Sequence, residues 1–419
     1  MTNPNAPVRK LGVIGLGYIG LPTAALFAAR GVSVAGFDVD ARVVDTVNRG
    51  EVHIIEPGLD IAVRSAVASG KLKASTRPEP CDAFIIAVPT PFREGKAPDV
   101  SFVESAARSL APVLRKGDLV VLESTSPVGT TKAVAQLMQK LRPDLRFPTA
   151  NGGAEDVHVA HCPERVMPGN VMRELIENDR VVGGLSAEST RRANALYRIL
   201  VEGDCVATDA DTAELVKLTE NAFRDVNIAF ANELSLICGK LGLDVWEVIR
   251  LANRHPRVKI LRPGPGVGGH CIAVDPWFIV HSAPEQARLI RAAREVNDGK
   301  PKTVLEAVKR AAQNVASPVI ACLGLAFKPD IDDLRESPAV EIVHALAESG
   351  ACRLLVAEPN IDALPPTLAA FSNVSLCDTA QAVAQAHVVV FLVNHKAFAA
   401  VDAGALKGKV VVNPCGWGR

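Results

Sequence analysis

Cys271 is the residue on which chemistry can be built. It closes the stretch Gly264-Pro265-Gly266-Val267-Gly268-Gly269-His270-Cys271, and Asp275 follows four positions later. Glycines in that approach let backbone lie close against a ligand, because no Cβ stands in the way. If a helix begins here, Asp275 is one turn from the thiol, and a helix N-terminus favours the thiolate. The alternative is a buried structural cysteine behind a flexible turn, the usual place of a lone thiol.

A second set of candidates lies upstream. From Thr212 to about Leu241 the chain has few helix breakers and helical apolar spacing. One helix of about 30 residues, ~45 Å long, is predicted, enough to bridge two domains. Glu214, Lys217, Asn221 and Arg224 recur in it at helical intervals and share one face. Such a stripe is either a solvated face or the wall of a cleft. Asn221 and Asn227 are poor helix formers at mid-helix, and Ala222, Phe223, Ile228 and Phe230 are expected to be buried, which favours the cleft. A lysine facing Cys271 there would stabilise a developing oxyanion. Glu164, in Cys162-Pro163-Glu164-Arg165-Val166 after an expected strand at 157–161, is a candidate acid/base or a surface salt bridge.

These groups need elements to carry them. Lys10–Ile14 reads as a buried strand, followed by Gly15-Leu16-Gly17-Tyr18-Ile19-Gly20, a helix at 21–30 and a strand at 32–37 that ends at Asp38. This is the dinucleotide fingerprint in its required context. Gly15 makes the tight turn, Gly17 admits a pyrophosphate, and Gly20 lets helix and strand pack. Asp38 bonds the ribose hydroxyls and repels a 2′-phosphate, so the expected cofactor is NAD rather than NADP. Arg42 either flanks the adenine or is solvated. Strands at 83–88 and 119–123 end in loops carrying Thr90 and Thr125, where an open parallel sheet places its ligands. The helix starting near Thr131 favours an anion at its free N–H groups or uses a threonine as its cap. Arg180–Gly184 is expected to be the last strand of this domain, with no role beyond its core.

His255, Arg257 and Lys259 precede the glycine loop and suit phosphate or sugar contacts, reaching a neighbouring subunit, or else a plain surface loop. A helix is expected at 286–298. Short strands at Val319–Leu323, Arg353–Ala357, 388–393 and Val410–Val412 alternate with helices. The segment Gly324-Leu325-Ala326-Phe327-Lys328-Pro329 follows the first of them but lacks the dinucleotide fingerprint. Lys328 suits a phosphate as a point charge; Arg335 reaches a phosphate or pairs with Asp333. The expected fold class is α/β, with two Rossmann-like doubly wound parallel-sheet domains joined by a long central helix. The domains fall at 1–205, 206–305 and 306–419. One nucleotide-type domain holds NAD and the other the nucleotide part of a substrate.

Composition sets the limits. At 419 residues two or three domains are expected. The 46 basic and 46 acidic side chains cancel, which argues against a nucleic-acid partner or an anionic membrane surface. No apolar run approaches the ~18 residues of a membrane span, and the first ten residues lack a signal-peptide core. The nine cysteines show no CxxC and no metal-type pairing with histidine. No metal site and a cytoplasmic location are therefore expected.

Taken together, CPERVMPGN, KLTENAFRDVNIAFANELSLIC, RLANRHPRV, GPGVGGHCIAVDPWF and GLAFKPDIDDLRESPA resemble the UDP-sugar 6-dehydrogenases over essentially the whole chain after Val8. Within that family the segments look closest to the UDP-N-acetyl-D-mannosamine branch. The resemblance implies a four-electron oxidation at C6 by two NAD+. Cys271 adds to the aldehyde, giving a thiohemiacetal and then a thioester that water cleaves to the uronate. Lys217 and Asn221 stabilise the oxyanion, Asp275 and Thr125 hold the water, and Glu164 assists hydrolysis. Tyr18, Ile19, Asp38, Thr90, Thr131 and Arg335 match the family's NAD positions. Arg165, Val166, Arg224, His255, Arg257, Gly268 and Lys328 match its substrate positions. In the family the arginine matching Arg257 comes from a partner subunit, which implies at least a homodimer. Glucose enzymes carry an aromatic residue where Arg165 stands, so the cation suggests a different substituent at C2. Relatives often have aspartate where Asn413 stands. The alternatives are oxidation of UDP-N-acetylglucosamine or UDP-glucose, a two-electron dehydrogenase on the same scaffold, and a nucleotide-sugar-binding protein without turnover.

Overall fold

The computed structural model describes residues 8–148, 153–269 and 271–418; the Glu94 side chain, His270 and Arg419 lie outside the described residues. The chain forms two compact units, Met1–Thr219 and Glu220–Arg419. The division falls inside a single helix, Ala210–Leu241, of 32 residues and about 48 Å. The long helix expected from the sequence is therefore present.

In the first unit β1 (Lys10–Ile14), β2 (Ser33–Phe37), β3 (Leu72–Ser75), β4 (Ala83–Ile86), β5 (Leu119–Leu122), β6 (His158–His161), β7 (Arg180–Gly184) and β8 (Cys205–Asp209) form one sheet. Their order is β3-β2-β1-β4-β5-β6-β7-β8. All neighbours run parallel except β6 and β7. The runs AFII of β4 and LVVL of β5 are wholly buried, as a sheet covered on both faces requires. One apolar cluster gathers Leu11, Val13, Phe27 and Tyr197, and the other Phe37, Phe84, Leu110 and Met138. Arg180–Gly184 is not the last strand: β8 pairs beyond it in parallel register. β8 is an edge strand with mostly exposed residues, so it lacks the apolar run by which buried strands are recognised.

The second unit holds β9 (Val319–Leu323), β10 (Arg353–Ala357), β11 (Val374–Leu376), β12 (Val388–Phe391) and β13 (Val410–Val412), all parallel, in the order β11-β10-β9-β12-β13. The helix expected at 286–298 runs on as Arg288–Ala312, through Pro301. A proline there removes the hydrogen bond to the Asn297 carbonyl. The helix continues because its inner face, with Ala293, Asn297, Val304 and Val308, is buried along both halves. At the far end Asn413 both accepts from the Trp417 N–H (2.8 Å) and donates to its carbonyl (2.9 Å). That closes the tail so that Trp417 stacks on Phe391, 4.3 Å between centroids.

The two sheets share one device. Each first strand is followed by a glycine of positive φ, Gly15 (+88°) and Gly324 (+96°), a conformation that glycine adopts without strain. Each second strand is followed by a carboxylate that grips the N–H groups beyond that glycine. Asp38 accepts from Leu16 at 2.9 Å, and Glu358 accepts from Leu325 at 2.7 Å and Ala326 at 3.0 Å. The second unit is thus built on a nucleotide-type half although its sequence lacks the glycine fingerprint.

Candidate active site

The turn after β1 suits a dinucleotide. A Cβ on Gly20 would overlap the Gly15 carbonyl oxygen, whereas one on Gly17 would meet nothing within 4 Å. Gly20 therefore serves packing and Gly17 faces open space. The helix Gly20–Ala29 has no side-chain cap, so its positive end is left for phosphate. Tyr18 is exposed and Ile19 half-buried beside it. Asp38 is half-buried; one oxygen holds the Leu16 N–H and the other the Asp40 N–H at 3.0 Å. It thus orients the turn as well as standing where a ribose acid stands. Arg42 is exposed and forms an ion pair with Asp40 at 2.8 Å.

Thr90 and Thr125 are half-buried at the carboxyl ends of β4 and β5. The anion expected at the next helix, Thr130–Leu141, comes from the chain itself. Glu214 accepts from the Gly129 N–H (2.6 Å), the Thr131 N–H (2.7 Å) and the Thr131 hydroxyl (2.6 Å). Burial outweighs these three bonds and pushes the Glu214 carboxyl up to about 7.

Glu164 is buried, and both its oxygens are engaged. One accepts the Arg165 N–H at 2.6 Å, the other the Arg180 guanidinium at 2.6 Å. Arg180, read from the sequence as plain core, is thus the partner of the acid/base candidate. It lies 3.7 Å from a second buried carboxylate, Glu123, which also accepts from the Tyr197 hydroxyl at 3.2 Å. Burial, reinforced by the Glu164 charge, pushes Glu123 upward. The Arg165 guanidinium donates to the Asp179 carbonyl at 2.5 Å, and Val166 packs against the core.

In the second unit Cys271 precedes the helix Asp275–Ser282, and its carbonyl accepts from Val274 and Asp275 at 3.0 and 2.8 Å. Asp275 is buried and accepts from the Asn221 amide at 2.5 Å. The structure therefore joins two of the candidates directly. Lys217 lies on the same helix as Asn221, one turn before it, and is half-buried. The glycine loop makes its close approach to protein. A Cβ on Gly268 would strike the Glu336 carbonyl and Phe327, and one on Gly269 would stand 2.8 Å from the Phe327 ring. Arg335 is paired with Asp333 at 2.6 Å. Arg224, His255, Arg257 and Lys328 are exposed. Phe223 and Phe230, expected to be buried, are 70% and 54% exposed. The inward face of this helix is carried instead by Ala222, Asp225, Ala229 and Asn232.

Gly17→Ala changes stability by no more than about 0.5 kcal/mol yet weakens NAD+ roughly tenfold or more; calorimetric titration and thermal unfolding of the same sample check both. Glu214 has a folded-state pKa of about 7 against an ordinary 4.5, so folding takes up a proton between those values. The stability of the parent relative to Glu214→Gln must therefore fall as pH rises through that window and level off above it. Parallel pH profiles of unfolding midpoint for the two proteins would show that Glu214 does not titrate there.

Comparison with known proteins agrees with this architecture. Family models of the UDP-glucose/GDP-mannose dehydrogenases match the chain in three parts: the NAD binding domain at 9–201, the central domain at 211–299 and the UDP binding domain at 321–415. The UDP-N-acetyl-D-mannosamine dehydrogenase of Yersinia pestis is 59% identical over 97% of this chain and 99% of its own. The NDP-N-acetyl-D-galactosaminuronic acid dehydrogenase of Ralstonia nicotianae is 58% identical over 97% and 96%. Among solved structures, a UDP-D-ManNAc dehydrogenase from Pyrococcus horikoshii superposes with a TM-score of 0.86 at 38% identity, covering 97% of this chain and 95% of that one. No helix among the described residues is long and apolar enough to cross a membrane. With a dinucleotide turn, a second nucleotide-type sheet and a thiol turn tied to the helix between their sequences, this chain belongs to the UDP-glucose/GDP-mannose dehydrogenase family and is an NAD-dependent UDP-sugar dehydrogenase.

Proposed function

We propose that the protein oxidises C6 of UDP-N-acetyl-D-mannosamine to the uronate, with Cys271 as a covalent handle. Alcohol, two NAD+ and one water become carboxylate, two NADH and three protons. Bound NAD+ supplies the hydride acceptor for both oxidations. Cys271 adds to the intermediate aldehyde and keeps it from escaping, and the thioester that follows is opened by water. Lys217 and the Asn221 amide stabilise the oxyanion. Asp275 and Thr125 hold the water, and Glu164 receives its proton. Tyr18, Ile19, Thr90, Thr131 and Arg335 complete the cofactor contacts; Val166, Arg224, His255, Gly268 and Lys328 complete those to substrate.

The observation that carries this reading is the bond between Asn221 and buried Asp275, one turn from the thiol. A protein that only bound nucleotide sugars would need none of the three. Arg165, anchored on the Asp179 carbonyl, supports a 2-acetamido sugar over UDP-glucose. A second reading, an N-acetylgalactosamine substrate, is favoured by the Ralstonia relative at 58% identity. A homodimer is proposed too: exposed Phe223, Phe230 and Ile237 recur every seven residues on the long helix, and seven is the period of a helix-to-helix seam. Arg257, exposed in the single chain, would then serve the partner. A cytoplasmic location fits the nine thiols, none of them in a disulfide.

The test is NADH release with UDP-N-acetylmannosamine, UDP-N-acetylgalactosamine, UDP-N-acetylglucosamine and UDP-glucose, counted per sugar. Two NADH per UDP-N-acetylmannosamine is expected; one per sugar would establish a two-electron enzyme. Cys271→Ser should lower uronate formation at least ~10³-fold while both ligands still bind, and full turnover by that variant removes the covalent step. Phe223→Asp with Phe230→Asp should sediment as a monomer; an unchanged oligomer places the interface elsewhere.

A further inference from the structure

Arg294 is among the largest fully buried side chains of the described residues, and Asp225, its partner at 2.6 Å, is fully buried too. A buried pair of this kind is a poor way to gain stability. This one is incompletely satisfied: among the described residues Asp225 Oδ2 and Arg294 Nε have no hydrogen-bond partner. Such an arrangement calls for a reason other than folding energy.

The reason lies in what the pair touches. Arg294 reaches the carbonyl of Ile272, the residue after Cys271, at 3.5 Å, and is held from its other side by Asp298. Asn297, one turn along the same helix, donates to the Asp225 carboxylate at 2.8 Å and accepts from Asn232 at 2.8 Å. Asn232 in turn accepts the N–H of Gly264, where the glycine loop begins, at 2.8 Å. The long helix thus holds the thiol loop at its start through Asn232, after the thiol through Asp225 and Arg294, and at Asp275 through Asn221. Residues 221, 225 and 232 share one helical face.

We infer that Asp225, Arg294, Asn297 and Asn232 form a buried clamp that fixes the Cys271 turn against the long helix, making Asp225 and Arg294 positioning residues for thiol addition. This rests on the reading of Cys271 as nucleophile. Both side chains are sealed from solvent. Arg294, held by Asp225, acts through the Ile272 carbonyl just after the sulfur, and Asn232 acts at the start of the loop; small displacements there are expensive in rate.

The experiment compares Arg294→Met, Asp225→Asn and the double variant in the full-length protein. Folding is followed by thermal unfolding, affinity by titration with NAD+ and UDP-N-acetylmannosamine, turnover by uronate formed, and thiol presentation by the rate of Cys271 alkylation with iodoacetamide, with Cys271→Ala as blank. Expected are dissociation constants within about threefold of the parent and a kcat at least tenfold lower, on the order of what a misplaced reacting group loses. The alkylation rate should change in both singles, and the double should be no worse than the worse single, since a clamp acts as a unit. Turnover within about twofold of the parent overturns the clamp, as does a strictly additive double variant. If Arg294→Met does not fold, Asp225→Asn, which keeps the size and removes the charge, decides alone. Undiminished uronate formation by Cys271→Ala would instead refute the nucleophile itself, separately from the clamp.

Discussion

Glu214 reaches the start of the helix Thr130–Leu141 with both oxygens, and the same act recurs at three other turns. A strand end that turns into a helix has N–H groups with no ladder partner, and they must be satisfied somewhere. Asp38 does this for the turn after β1 and Glu358 for the turn after β9. Glu56 does it for Gly169 and Val171 behind the Glu164 loop, at 2.8 and 2.7 Å. A charged acceptor makes a shorter, stronger bond than a neutral one. Loops otherwise built for close approach, with glycines and few apolar anchors, are thereby held in one shape.

The same rule governs the buried arginines. A carboxylate taken out of water needs a countercharge or a proton. Glu164 has Arg180, while Glu123 beside it is pushed toward the protonated form. Asp225 has Arg294. In each unit a buried guanidinium thus stands directly behind a candidate element of the site, the Glu164 carboxylate in one and the Cys271 turn in the other. Neither arrangement is a favourable use of buried charge for stability alone. In both, directional hydrogen bonds order the group they reach, the Glu164 carboxylate or the Ile272 carbonyl, which apolar packing does less sharply.

Sequence patterns expose some of this and hide the rest for definite reasons. The first βαβ unit was legible because Gly15, Gly17, Gly20 and Asp38 each meet a separate steric or electrostatic demand. The long helix was legible from the scarcity of breakers along its 32 residues. β3, β8 and β11 were not, because these three edge strands carry no apolar run. The helix through Pro301 was cut short because local propensity disagreed with tertiary packing, which prevailed. Asn221 and Asp275 were named as candidates, but Asp225 and Asn232 were missed. Polar residues on a helix are assumed to face water unless a partner is known, and Arg294 lies some 60 to 70 positions away. The spacing 221, 225, 232 is the signal that was present. It becomes informative only once a buried cation is known to complete it.

The long helix gains its importance from this. Within the first unit it supplies Glu214, which sets the Thr131 turn; within the second it supplies Asn221, Asp225 and Asn232, which set the thiol loop. A helix is the stiffest element a chain offers, so groups spaced along it keep their separations when loops do not. In the second unit the thiol loop is held at three points, and those points must keep one register. Loops alone could not keep that register, because each would relax independently. Carrying the three anchors of the thiol loop on one helix removes that freedom within the second unit: Asp225 and Asn232 are buried there with Ala222 and Ala229, while Phe223 and Phe230 are exposed.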